Sequence, residues 1–172
     1  SHISVAVVRF DETMSLLQRD RNAAWFSSEK GAQVLICSEI GSEGRNFQFV
    51  HNLFLFDLPI NPELLEQRIG RIDRIGQKND IQIHVPYILG SVYEILAKWF
   101  MHGMNIFEKN VDGVHLVYKN FEKPLMDLIG QTCQGHVIDT DGLDQLIQKT
   151  NAFVLQINEQ LVRDKNVLLE MN

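Results

Sequence analysis

The chain has 172 residues, 45% of them hydrophobic, which is enough for one domain with a proper core plus an appendage. Its 16 basic and 22 acidic residues leave a net charge of −6. It is therefore not an electrostatic nucleic-acid binder as a whole, and any such contact has to be local. Cys37 and Cys133 lie far apart, which argues against a disulfide framework and for a reducing compartment. No apolar span approaches the roughly 18 residues of a membrane helix, and the N-terminus lacks a signal-peptide layout. The expected location is the cytosol.

Taken in order, Ile3–Phe10 is a nearly continuous apolar strand, of the kind covered on both faces in a parallel sheet. Ser15-Leu16-Leu17-Gln18 is a capping-box pattern, so a helix is expected from Ser15 to about Ser28. Trp25 and Phe26 near its end are expected to pack in a core or between lobes. Gly31 breaks the chain, and Gln33–Cys37 is a short buried strand that makes Cys37 a buried thiol. A loop with a helical turn covers Ser38–Asn46. Val50–Asp57 is a strand, Asn61–Ile75 a helix, and Ile81–Ile88 a strand with an edge-compatible Pro86. Ser91–Asn110 reads as a helix with a stripe of Val92, Ile95, Leu96, Trp99, Phe100, Met104 and Phe107. Alternating strands and helices predict a doubly wound α/β domain with a mostly parallel sheet. In such sheets ligands sit beyond the carboxyl ends of strands. Ser38–Asn46 and Asp57–Pro62 both follow strands and so can share that edge.

Residues 111–172 differ in character. A helix over Val114–Ile129, a break over Gly130–Asp141 and a long amphipathic helix over Asp141–Glu170 are expected. Leu143, Leu146, Ile147, Thr150, Val154, Ile157, Leu161 and Leu168 recur there at near-helical spacing. No chemistry is visible in this part. It reads as a helical extension (111–172) packed on an α/β domain (1–110) or on a neighbour, or as a partner-binding helix.

The stretch with chemistry is Asn61–Gln77. Asn61-Pro62 is a helix-start signal. On one continuous helix, Gln67, Arg71 and Arg74 (i, i+4, i+7) share a face, and Leu65, Ile69 and Ile72 share the opposite one. Gly70 leaves room for close backbone approach, at a helix cost of about 1 kcal/mol against Ala. Aligned guanidinium groups suit a carboxylate or phosphate. The ordinary alternative is a solvated face with pairing among Glu66, Arg71, Asp73 and Arg74. From Gln67 to Lys78 the chain carries four positive charges and one negative, a local patch in an acidic chain.

At these residues the chain resembles a known family. Gln67-Arg68-Ile69-Gly70-Arg71-Ile72-Asp73-Arg74-Ile75-Gly76-Gln77 is similar to motif VI of the Swi/Snf-type ATPases of helicase superfamily two. Leu55–Pro62 resembles the lead-in to that motif, and Ser38–Asn46 resembles motif V. Leu58-Pro59-Ile60 stands where many members have a Trp, and motif V is short. With Glu43–Phe49 and Asp80–Tyr87, these departures point to the bacterial RNA polymerase-associated branch rather than to chromatin remodellers. The resemblance is dense over about residues 3–109 and weaker beyond.

The resemblance implies a RecA-like helicase C-terminal lobe with its first strand missing, hence a piece of a longer protein. It implies a DNA-stimulated ATPase, working on nucleic acid, whose second motor lobe this is. The parent would bind core RNA polymerase and aid its recycling. Arg71 and Arg74 would be arginine fingers, with Gln67 at the rim of the site. Gly44, Asn46, Asp57, Arg68 and Gly70 would lie at the nucleotide or lobe interface. Ser38 and Arg45 would touch nucleic acid, DNA or RNA. An arginine meeting the γ-phosphate is worth about 10³–10⁵ in rate, or roughly 4–7 kcal/mol.

There is no Gly-x-x-x-x-Gly-Lys-Ser/Thr phosphate loop in the chain, and Asp11-Glu12-Thr13-Met14 ends in Met and precedes a helix. ATP and Mg²⁺ are therefore expected to be held mainly by the first RecA-like lobe, with none bound by this piece, which would be inactive alone. The six histidines show no metal-ligand spacing, so no metal site is expected. Two other functions remain open: a docking module for RNA polymerase through the helical extension, and a lobe of a superfamily-two RNA helicase.

Overall fold

The computed structural model describes residues 5–38, 47 and 49–170, with side chains to residue 164. It divides into two compact units, Ser1–His51 with Arg68–Ile81, and Asn52–Gln67 with Gln82–Asn172.

In the first unit, β1 (Val7–Phe10) pairs in parallel with β2 (Val34–Cys37), Val7 opposite Val34 and Phe10 opposite Cys37. Helix α1 (Leu16–Phe26) connects them, as a parallel pair requires. Its start is the expected capping box: Gln18 N–H donates to Ser15 Oγ at 3.3 Å, and Ser15 N–H donates to Gln18 Oε1 at 2.9 Å. Asn22 Nδ2 ties α1 to β1 by donating to Arg9 O at 3.0 Å. Gly31 is obligatory, because a Cβ there would run into the Trp25 carbonyl.

The core of this unit is aromatic. Phe10, Phe26, Phe47 and Phe49 pack with ring centroids 5.3–6.3 Å apart. Val8 and Phe10 are buried, whereas Val7, Val34 and Ile36 on the other face are exposed, so the described residues cover one face of the ladder and not both. Phe26 joins the core as expected, but Trp25 is exposed. Cys37, expected to be a buried thiol, is exposed as a residue at the end of mostly uncovered β2, yet its sulfur is desolvated enough to push the thiol up to about 11.

In the second unit, β3 (Asn52–Phe54) pairs in parallel with β4 (Gln82–His84), Phe54 stacking on His84 at 4.2 Å. Among the described residues β4 pairs with β3 alone, which makes it an edge there, in keeping with Pro86 just beyond it. Both strands are shorter than the apolar runs suggest.

The helix expected over Ser91–Asn110 is α3 (Val92–Lys98) followed by a π-helical turn, Trp99–Met104, which stops at Asn105 in the left-handed region (φ 57°). The wider turn sends Trp99, Phe100, Gly103 and Met104 all inward. Helix α4 (Val114–Cys133) runs a turn further than expected, and the break before α5 (Thr140–Glu170) is correspondingly shorter. Gly113 caps α4 with φ 70°, and a Cβ on it would lie 3.2 Å from Ile157 of α5.

Leu143, Leu146, Thr150 and Val154 of α5 are buried against the π turn and α4; the stripe then fades, and the Leu168 side chain lies outside the described residues. At the centre, Trp99 Nε1 donates to Thr150 Oγ1 at 2.9 Å, and Thr150 Oγ1 donates to Leu146 O at 2.8 Å. Both residues are fully buried, so the chain of bonds satisfies the indole N–H that the core would otherwise orphan. The element pattern is α/β with parallel strands and a helical C-terminal part.

Candidate functional site

Helix α2 (Pro62–Ile69) begins where Asn61-Pro62 says it should. Asn61 Oδ1 accepts from Glu63 N–H at 2.8 Å, and Pro62 is buried. Leu65 and Ile69 are buried, as the apolar face requires. The helix does not continue to Ile75, however. After Ile69 one helix-type bond remains, Asp73 N–H to Ile69 O (3.0 Å), and the rest are turn bonds: Arg71 N–H to Arg68 O (3.3 Å), Ile72 N–H to Ile69 O (3.0 Å) and Gln77 N–H to Arg74 O (3.0 Å). Gly70, costly in a helix, stands at the point of departure. Gly76, at φ 102°, makes the second reversal, which a residue with a Cβ resists. Arg71 and Arg74 therefore belong to a folded turn, and the i, i+4, i+7 stripe drawn through Gln67 does not describe them.

The turn is braced by the last residue of the motif, to which the sequence assigns no role. Gln77 Nε2 donates to Val50 O (2.8 Å) and Ile72 O (3.3 Å), while its Oε1 accepts from the N–H groups of Lys78 (2.9 Å) and Asn79 (3.1 Å). Phe47 N–H donates to Arg71 O at 3.5 Å. These bonds lace the segment following motif V to the arginine turn, within one unit. Ile72 is buried beneath it. Arg74 is exposed and spends its Nε–H on Gly70 O at 3.1 Å; Arg71 is half-buried, with no ion pair among the described residues. Arg68 is half-buried and partnered. The turn thus carries three guanidinium groups of different constraint on a backbone held at both ends.

Ser38, at the carboxyl end of β2, donates its Oγ–H to Glu12 Oε2 at 2.9 Å. Glu12 is held below the usual carboxylate range, first by its own backbone N–H and then by Ser38. Asp11 makes a local turn, accepting from Thr13 N–H at 3.0 Å and from the Thr13 hydroxyl. Gly44, Arg45 and Asn46 lie outside the described residues. In the other unit, Gln67 and Asp57 are exposed, and Asp57 is partnered.

Glu66 is a second residue the reading misplaced. It was weighed as a pairing partner for nearby charges, but Oε1 accepts from Val111 N–H at 3.0 Å. The bond fastens α2 to the segment leading into α4. Desolvation raises the Glu66 carboxyl above its ordinary value; the Val111 bond lowers it, and Glu63 and Asp112 push it up again. Its sequence signal was faint, a Glu one residue after buried Leu65.

Residues 80–172 match the family described as RNA polymerase recycling family C-terminal, and residues 1–76 match the helicase conserved C-terminal domain. The RNA polymerase-associated protein RapA of Vibrio parahaemolyticus serotype O3:K6 (strain RIMD 2210633) is 49% identical over 164 residues. That alignment covers 95% of this chain and 16% of the relative, so the chain spans about a sixth of that protein's length. Among solved structures, the C-terminal part of the Fun30 ATPase domain aligns over 86% of this chain and 40% of its own, at 17% identity and a TM-score of 0.49.

Proposed function

The chain belongs to the RNA polymerase recycling family, whose C-terminal model its residues 80–172 match, and on that premise we propose that it is the second motor lobe, with helical extension, of a nucleic-acid-stimulated ATPase that works with RNA polymerase. The observation that carries this reading is one of sequence order. A helicase C-terminal segment ending in the arginine turn (1–76) runs directly into the polymerase-recycling segment (80–172). A motor element and a polymerase-associated element in one chain join ATP turnover to polymerase.

In this proposal ATP with its Mg²⁺ is the substrate of a longer protein and rests mainly on a first lobe that supplies the phosphate loop. Arg71 and Arg74 enter from this lobe on closure and meet charge developing on the γ-phosphate, so that closure and hydrolysis are coupled. Gln67 lines the rim. Asp57, Arg68 and Gly70 serve the lobe interface with Gly44 and Asn46. Ser38 and Arg45 contact the DNA or RNA backbone. The protein works in the cytoplasm, at the nucleoid.

The test is nucleic-acid-stimulated ATP hydrolysis by the longer protein carrying Arg71→Ala or Arg74→Ala, with ATP affinity followed in parallel. Turnover is expected to fall at least about a hundredfold with ATP binding retained. Normal turnover in both variants would make the turn purely structural.

A further inference from the structure

Residues 80–172 contain twelve acidic and seven basic side chains, so five of the chain's six net negative charges fall in the polymerase-recycling segment. Such a surface repels phosphate backbones and favours a basic protein partner. Within it lies a cleft of about 490 Å³, between the start of α3 and the connection from α4 to α5.

The floor of the cleft is ionic. Glu94 is 8% exposed, with Oε2 accepting from Gly90 N–H at 2.6 Å and Oε1 paired with Lys98 Nζ at 2.6 Å. Asp144 of α5, exposed, lines the same cleft and adds a second carboxylate to the field at Lys98. Two carboxylates against one ammonium leave a net charge of −1. One wall is apolar: Val137 is 93% exposed and Ile138 beside it is half-buried. The cleft thus sets apolar wall atoms of Val137 and Ile138 beside the Asp144 carboxylate, a pairing that suits a cationic side chain with an apolar neighbour.

We propose that this cleft is a docking groove for a protein segment of RNA polymerase that presents an arginine or lysine between apolar side chains. The basic group reaches Asp144, and its neighbours cover Val137 and Ile138. An arginine suits the floor best, because its planar fork meets a carboxylate bidentately and desolvates at less cost than an ammonium. The Glu94–Lys98 pair holds the floor rigid, so the groove is formed before the partner arrives. The inference rests on the polymerase-association reading above and gives it a surface.

The experiment is biolayer interferometry of the 172-residue chain against immobilised core RNA polymerase, with Asp144→Lys, Asp144→Asn and Val137→Asp beside wild type. A fluorescent DNA duplex is titrated in parallel, and thermal unfolding is recorded for every variant. Both positions are exposed, so the folds are expected to survive; Asp144→Asn serves where the reversal disturbs folding. Wild type is expected to bind polymerase. Asp144→Lys and Val137→Asp should each weaken it by about tenfold or more, and Asp144→Asn by less. Raised ionic strength should weaken wild type more than Asp144→Lys. Wild-type binding that none of the folded variants changes overturns the groove and leaves the polymerase reading standing. Absence of wild-type binding overturns the groove, and the polymerase reading is then decided by the same assay on the longer protein. Duplex binding that tightens in Asp144→Lys, with no effect on polymerase, assigns the cleft to nucleic acid and overturns the proposal.

Discussion

Gln77 is the most informative residue to change. Replacing it with Glu keeps its size and its acceptor oxygens for the Lys78 and Asn79 N–H groups, but removes both bonds donated by Nε2, to Val50 O and Ile72 O. The 2.8 Å bond is a full one and the 3.3 Å bond a weak one. At about 0.5–1.5 kcal/mol net apiece, plus repulsion between a carboxylate and two carbonyls, Gln77→Glu should cost about 1–3 kcal/mol. For a chain of this size that is roughly 2–4 °C of melting temperature per kcal/mol. The loss should be local first. Amide exchange at Arg71, Ile72 and Asp73 should quicken by about tenfold or more while exchange in α4 and α5 stays unchanged. In the longer protein, turnover should fall with ATP affinity retained, because the arginines lose their footing and not their charge. Unchanged exchange at the turn, together with a melting shift below about 1 °C, would refute the claim that Gln77 braces it.

Three further outcomes follow from the same geometry. Thr150→Val orphans the buried Trp99 indole N–H and should cost about 1–3 kcal/mol by denaturant unfolding. In a Trp99→Phe background, which has no donor to orphan, that cost should largely vanish, a coupling read from the double-mutant cycle. Glu66→Ala strips Val111 N–H of its acceptor and should cost about 1–2 kcal/mol. Glu66→Gln retains an acceptor oxygen and should equal or exceed wild type at pH 7. The Glu66 carboxyl is raised in the folded state, so the native form binds more protons, and its charge becomes a liability as pH climbs through and above the ordinary carboxylate range near 4.5. The advantage of Glu66→Gln should accordingly fade below that range, as pH-dependent melting would show; an advantage that persists in acid would mean that desolvation is not its source.

Much of this protein was legible in its residues because the signals were local. The Ser15–Gln18 box and the Asn61-Pro62 start act within a few residues, and both caps form as written. Periodicity placed the buried positions of α5 through Val154, since a helix repeats whatever covers it. The Gln67–Gln77 motif led to the helicase C-terminal family, and its lead-in together with Glu43–Phe49 and Asp80–Tyr87 to the polymerase-associated branch, without any coordinates.

What local signals missed depends on partners distant in sequence. Nothing near Trp99 announces a π turn, because the reason for it is the fit of Trp99 and Gly103 against Thr150, about fifty residues away. Helical spacing drew Arg71 and Arg74 onto α2. The chain instead turns at Gly70, where Gln77, Phe47 and Val50 supply long-range bonds that a longer helix would forgo. Glu66 looked like one more surface charge until Val111 came within 3.0 Å. Composition, caps and motif were determined by the order of the residues alone; that Arg71 and Arg74 sit on a turn and not on a longer helix was decided by tertiary hydrogen bonds, because a turn costing about 1 kcal/mol at a glycine is settled by whichever partners the fold brings to it.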